Sequence, residues 1–165
     1  MILMNSITFN TITYNIFDRW MHLVGQEGQR ERVKLIPKSL SSISKNIDVV
    51  CIQEAWCPDK NIICGKDKSR DILTQDMKKK GWKYNTGILE AANRISLKCK
   101  INGGLIIYSK LPILKTVKYN FYNSSNIDRF SCKGFIYIRF KKDSLYINVI
   151  NTHLQAGEGG TNKKA

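Results

Sequence analysis

No apolar run in this 165-residue chain approaches the roughly 20 residues that a membrane-spanning helix requires. The opening Met1-Ile2-Leu3-Met4 has no basic stretch before it and soon meets Asn5, Ser6, Thr8 and Asn10, a poor secretory signal. With neither feature, the default expectation is a cytoplasmic protein. The five cysteines are odd in number and none forms a Cys-x-x-Cys pair of the metal-ligand type. Cys51 lies inside an apolar run and reads as a small buried hydrophobe among reduced thiols. There is no internal repeat and no low-complexity domain. Negative charge is also scarce: 27 Lys and Arg face 13 Asp and Glu, a net charge of +14. Such a surface attracts polyanions such as phosphate esters, nucleic acid or an anionic membrane, although a lysine-rich solvated face would give the same count.

What is present suits one domain with a real core. The 42% apolar and 24% charged residues are ordinary for a globular protein. Residues 7–15 (ITFNTITYN) are dense in β-branched and aromatic side chains and predict a strand ending at Asn15. Gly25 to Gln29 reads as a loop. From Arg30 onward Val33, Ile36, Leu40 and Ile43 recur at helical spacing, with Pro37 predicting a kink or a broken turn. Ile47 to Glu54 is a short apolar run of the kind buried on both faces of a sheet. Asp71 to Lys80 predicts a second helix, with Ile72, Leu73 and Met77 inward and a basic end before Gly81. Strands follow at Trp82–Tyr84, Leu105–Ser109, Val117–Tyr122, Gly134–Phe140 and Leu145–Thr152, the last two joined as an antiparallel hairpin through residues 141–144. Helices gather early and strands late, so the fold class is mixed α/β rather than a regular βαβ array. Residues 1–156 read as one domain and 157–165 as a flexible tail.

Three strand-like runs finish on residues suited to phosphate or metal chemistry: Asn15, Glu54 and His153. Strand ends deliver side chains from rigid backbone to a shared rim, where polar groups can converge. A carboxylate directly after Val49-Val50-Cys51-Ile52-Gln53 is costly unless paired, and a hard cation such as Mg²⁺ would offset that cost, as would an ion pair with a nearby Lys or Arg. The amide of Asn15 would orient a phosphate oxygen or a metal-bound water, or simply close a turn. The His153 imidazole would donate to a phosphoryl oxygen, or sit as a satisfied structural group.

Four segments in order, Thr13-Tyr14-Asn15, Ile52-Gln53-Glu54, residues 103–113 (GGLIIYSKLPI) and residues 151–156 (NTHLQA), resemble the endonuclease/exonuclease/phosphatase superfamily. Thr152-His153-Leu154-Gln155-Ala156, together with Asp128 followed by Lys133-Gly134, is most similar to its neutral sphingomyelinase branch. The resemblance covers the chain from about Ile7 to Ala156 and implies the N-terminal half of a four-layered α/β/β/α sandwich, with a mixed, largely antiparallel sheet flanked by helices. It also implies a metal-dependent phosphoric diester hydrolase with Mg²⁺ as cofactor. Glu54 would be the main metal ligand, assisted by Asn15. His153 and Asn15 would act at the phosphoryl group, and Asp128 and Lys133 would switch the site between two arrangements. The implied substrate is sphingomyelin or a related choline lipid, reached by contact with a membrane surface, with nucleic acid as the alternative substrate. The superfamily's distal Gly-Asp-x-Asn and Ser-Asp-His motifs do not occur here, and His22 is the only other histidine. The ending after His153 therefore reads as a truncation within a loop, with the distal half missing or separately encoded. On that reading the chain alone should be nearly inactive, and the further alternative is a non-catalytic remnant that binds phosphate-bearing surfaces.

Overall fold

The computed structural model describes residues 7–18, 29–43, 45–56, 69–90, 102–121 and 133–154. The elements run β1 (Thr11–Asp18), α1 (Gln29–Ile43), β2 (Val49–Ala55), α2 (Ser69–Lys79), β3 (Tyr84–Asn85), β4 (Ile106–Ser109), β5 (Ile113–Asn120), β6 (Gly134–Lys142) and β7 (Leu145–His153). They form two sheets, one ordered β1-β2-β4-β3 and the other β5-β6-β7. β1 and β2 are parallel and joined through α1, whereas β4 runs antiparallel to β2 and to β3. The second sheet is an antiparallel meander.

Every residue of β2 is buried because it is covered on both faces. Val50 and Ile52 face the helices and pack with Val33, Ile36 and Leu40 of α1 and Leu73 and Met77 of α2. Val49 and Cys51 face the other sheet and pack with Ile136, Ile138 and Phe140 of β6. The order of layers is therefore helices, first sheet, second sheet, which is three of the four layers anticipated. Tyr108 of β4 ties α2 down through a 2.9 Å hydrogen bond between its hydroxyl and Thr74 Oγ1. Close packing of the second sheet needs Gly134, where a Cβ would stand 2.0 Å from the carbonyl oxygen of Tyr119.

Most anticipated elements are present, with shifted ends. The first strand starts at Thr11 rather than Ile7 and runs past Asn15 to Asp18. Its start is fixed by pairing, because Thr11 is opposite Val49, the first residue of β2. Helix α1 continues past Pro37 without the broken turn. Val33, Ile36 and Leu40 are buried around Pro37, so packing offsets the lost backbone bond. Ile43, expected inward, is 71% exposed because the helix ends there, past the sheet it covers. β5 begins at Ile113 rather than Val117, directly after the Leu111-Pro112 turn. The loop at residues 25–28 and the tail at 157–165 lie outside the described residues.

Burial pushes the Cys51 thiol from its ordinary 9.0 up to about 11 and the Tyr108 phenol from 10.0 up to about 12. Both are groups that the fold keeps protonated, so their contribution to stability is whole below the unfolded values and lost as the pH climbs through the folded ones. The urea midpoint should therefore hold up to pH 9.0 and fall as the pH is raised towards 11. Cys51→Ala should remove the lower part of that fall, and an unchanged alkaline limb would disprove its origin in this thiol.

Candidate active site

The site is built where β1 and β2 lose register. Asn15 is opposite Gln53 and Asp18 is opposite Ala55, so two residues of β1 face one residue of β2. Within this bulge both Phe17 (φ 49°) and Glu54 (φ 55°) take left-handed backbone, costing about 1–3 kcal/mol each. The neighbouring chain holds the kink in place. Gly104, itself at φ +63°, packs so tightly that a Cβ there would be 3.1 Å from Glu54 Cα, and Ala55 N donates to the Gly104 carbonyl at 3.0 Å. The kink re-aims the side chain of Glu54, a residue only 9% exposed.

Four of the anticipated residues come together at this point. Asn15 Nδ2 donates to Glu54 Oε1 at 2.9 Å, and His153 Nε2 lies 3.4 Å from the same oxygen. The Lys133 ammonium is 3.2 Å from His153 Nδ1 and 3.3 Å from Nε2. His153 ends β7 and Lys133 immediately precedes β6; their neighbour Gly134 is paired with His153 across the ladder. The result is a sequence of contacts, amide–carboxylate–imidazole–ammonium, in which His153 touches both a negative and a positive group. The other amide atom of Asn15, Oδ1, accepts from Phe17 N at 3.0 Å. Asn15 therefore links Glu54 to the backbone of the bulge through its two amide atoms. Asp128 and His22 lie outside the described residues.

Sequence reasoning gave no role to Gln53, Asn151 or Trp56. Gln53 Nε2 donates to Asn151 Oδ1 at 2.6 Å and to Thr13 Oγ1 at 3.0 Å. Asn151 Nδ2 in turn donates to the Ile52 carbonyl at 2.9 Å. This pair joins the two sheets directly beneath the site. A buried amide in an otherwise apolar strand must find partners, so the burial expected for Ile47–Glu54 carried the signal for Gln53. Trp56, just past β2, stands edge-on to His153 with ring centroids 6.1 Å apart, and Lys133 Nζ lies over its ring 5.5 Å from the centroid. A cleft of about 480 Å³ runs between β1 and β7 up to the site, past Thr11, Thr13, Gln53 and Asn151 to Asn15 and His153.

As an oxygen-donor site for a hard cation this is a partial fit. Among the described residues no three His, Cys, Asp or Glu cluster as metal ligands. Mg²⁺, however, is commonly held by one or two carboxylates together with water and substrate phosphate, and Glu54 is a carboxylate of that kind.

The fold has a known counterpart. The chain matches an endonuclease/exonuclease/phosphatase family protein of Leptotrichia buccalis at a TM-score of 0.56 and 16% identity, over 88% of this chain and 52% of that one, a likeness of fold. The mixed α/β architecture is thus shared with that protein. In sequence the chain is similar to bacterial sphingomyelinases C. The chain is 30% identical to sphingomyelinase C of Bacillus cereus over 158 residues, covering 90% of this chain and 44% of the relative. With sphingomyelinase C of Leptospira interrogans it shares 32% over 170 residues, 96% of this chain and 29% of the relative. A β toxin structure from Staphylococcus aureus with bound magnesium ions superposes at a TM-score of 0.73 and 28% identity, over 92% of this chain and 52% of that one. No family model matches. The chain spans less than half the length of these sphingomyelinases C.

The inter-sheet amide pair should be worth its burial. Asn151→Leu leaves Gln53 and the Ile52 carbonyl short of a partner, and should lower the unfolding free energy in urea by about 1–3 kcal/mol. A loss below a few tenths of that amount would mean the two sheets are held by apolar contact alone.

Proposed function

We propose that this chain forms one half of the catalytic face of a Mg²⁺-dependent phosphodiesterase that cleaves sphingomyelin into ceramide and phosphocholine. The observation that carries the reading is the convergence of Asn15, Glu54, His153 and Lys133, drawn from four separate places in the chain, beside a cleft that Asn15 and His153 line. The kinship with sphingomyelinases C supplies the substrate class, and the magnesium ions in the S. aureus β toxin structure support the cofactor.

Glu54 would hold the cation, kept in place by the Asn15 amide and by the bulge. When bound, the cation polarises the phosphoryl group and steadies the departing oxygen. In the reaction, water adds to phosphorus as the bond from phosphorus to the ceramide oxygen breaks. One proton passes to that oxygen, and the water's remaining O–H stays with phosphocholine. His153 would donate to a non-bridging oxygen as charge builds on it, with the adjacent Lys133 ammonium adding its charge. Donors fixed in this way act without reorganisation at the moment of reaction. The group that activates the water would belong to the half of the sphingomyelinases that this chain does not span. Asp128 would act with Lys133 in setting the arrangement of the site. A membrane surface would present the substrate to the basic chain.

Nuclease activity is the second reading, favoured by the net charge of +14. Plasmid nicking that outruns phosphocholine release in the assembled protein, and that falls steeply with added salt, would establish it in place of the lipid reading.

Two outcomes are expected. Millimolar Mg²⁺ should raise the melting temperature of the chain, and Glu54→Gln should abolish the rise. If the shift survives in the variant, Glu54 is not the ligand. In the protein assembled with its other half, Glu54→Gln and His153→Ala should each lower phosphocholine release by about 100-fold or more. The chain by itself should release none above a Glu54→Ala control, and clear turnover lost in that control would show that the half-site suffices.

A further inference from the structure

Lys133 is only 5% exposed, yet its ammonium is directed towards the face of an indole. An indole is the strongest of the aromatic receptors for a cation, and its preference is for cations that shed water easily. A primary ammonium is strongly hydrated and needs acceptors for its N–H groups, and Lys133 is held within 3.2 Å of the His153 ring. A quaternary ammonium has no N–H to satisfy and sheds water more easily, so a bare aromatic face suits it better than it suits lysine. Trp56 is half-buried and adjoins His153, its ring centroid 6.1 Å from the imidazole. A phosphocholine group carries its nitrogen two methylenes beyond the ester oxygen, a span comparable to that separation.

We propose that the face of Trp56 is a receptor for a quaternary ammonium group, the choline end of the substrate, and that the Lys133 ammonium holds this place until substrate displaces it. The proposal rests on the phosphodiesterase reading of the site, because it takes the phosphoryl group to be at His153. Binding then exchanges one cation for another over the indole. The displaced ammonium stays tethered beside the imidazole, where a phosphoryl oxygen now needs positive charge. A substrate that lacks the methyl groups would gain less from the exchange, so Trp56 would select choline esters over ethanolamine esters.

The test is a titration of the full chain, with Mg²⁺ present, by phosphocholine, phosphoethanolamine, inorganic phosphate and tetramethylammonium. It is read from the Trp56 indole N–H resonance, assigned with Trp56→Phe, and from calorimetry. Phosphocholine should bind about five- to tenfold more tightly than phosphoethanolamine and should move that resonance. Trp56→Leu should level the two ligands while leaving inorganic phosphate unchanged, and Trp56→Phe should keep part of the preference. Lys133→Met should strengthen tetramethylammonium binding several-fold by vacating the indole. Equal binding of the two esters, a preference that survives Trp56→Leu, or weaker tetramethylammonium binding in Lys133→Met would overturn the assignment. If phosphate binds in a His153-dependent way without any choline preference, only the role of Trp56 falls. If neither phosphate nor phosphocholine binds, the phosphodiesterase reading falls with it.

Discussion

Strand β2 is enclosed between helices on one face and a second sheet on the other, and still carries an amide and a carboxylate at its end. Within so apolar a setting each polar group must be met by a partner or destabilise the fold. Gln53 is met by Asn151 and Thr13, Glu54 by Asn15 and His153. The partners of β2 thus come from β1 on one side and β7 on the other. Meeting them is what sets the two sheets in register, and the site is a by-product of the same requirement.

The bulge supplies the second half of that arrangement. Had β1 and β2 stayed in register, Glu54 would have continued the alternation of β2 and pointed into the helix layer beside Val50 and Ile52. One residue in left-handed backbone turns it to the rim instead. The strain is balanced by local bonds: Phe17 N to the Asn15 side chain, Arg32 to the Phe17 carbonyl at 2.8 Å, and Ala55 N to Gly104. Gly104 is needed there because only a residue without a Cβ allows the two backbones so close while itself taking positive φ.

Much of this was legible beforehand, for identifiable reasons. Periodicity exposed α1, α2 and the buried β2, because those patterns are set by the layers each element faces. Strand ends gave Asn15, Glu54 and His153 as a converging set. What the sequence could not display was anything fixed by pairing across long separations. The start of β1 depends on where β2 begins, and the bulge depends on Gly104, far along the chain. Trp56 reads as an ordinary aromatic after a strand until Lys133 is found above it. Asn151 stands next to the recognised Thr152-His153 pair, but its partner is 98 residues away.

The amide bridge between Gln53 and Asn151 has a kinetic side. Its two ends are far apart in sequence, so the bridge closes only after the loop between them has paid its closure entropy, late in folding. The helices and the first sheet need none of β7 to form their own core. A state with the second sheet undocked would keep that core and lose the rim, since His153 and Lys133 both travel with the second sheet. Any ligand that needs Glu54 and His153 together therefore selects the docked state, and its apparent affinity is the intrinsic one scaled by the docked fraction. Binding at this rim doubles as a gauge of sheet docking, readable without unfolding the chain.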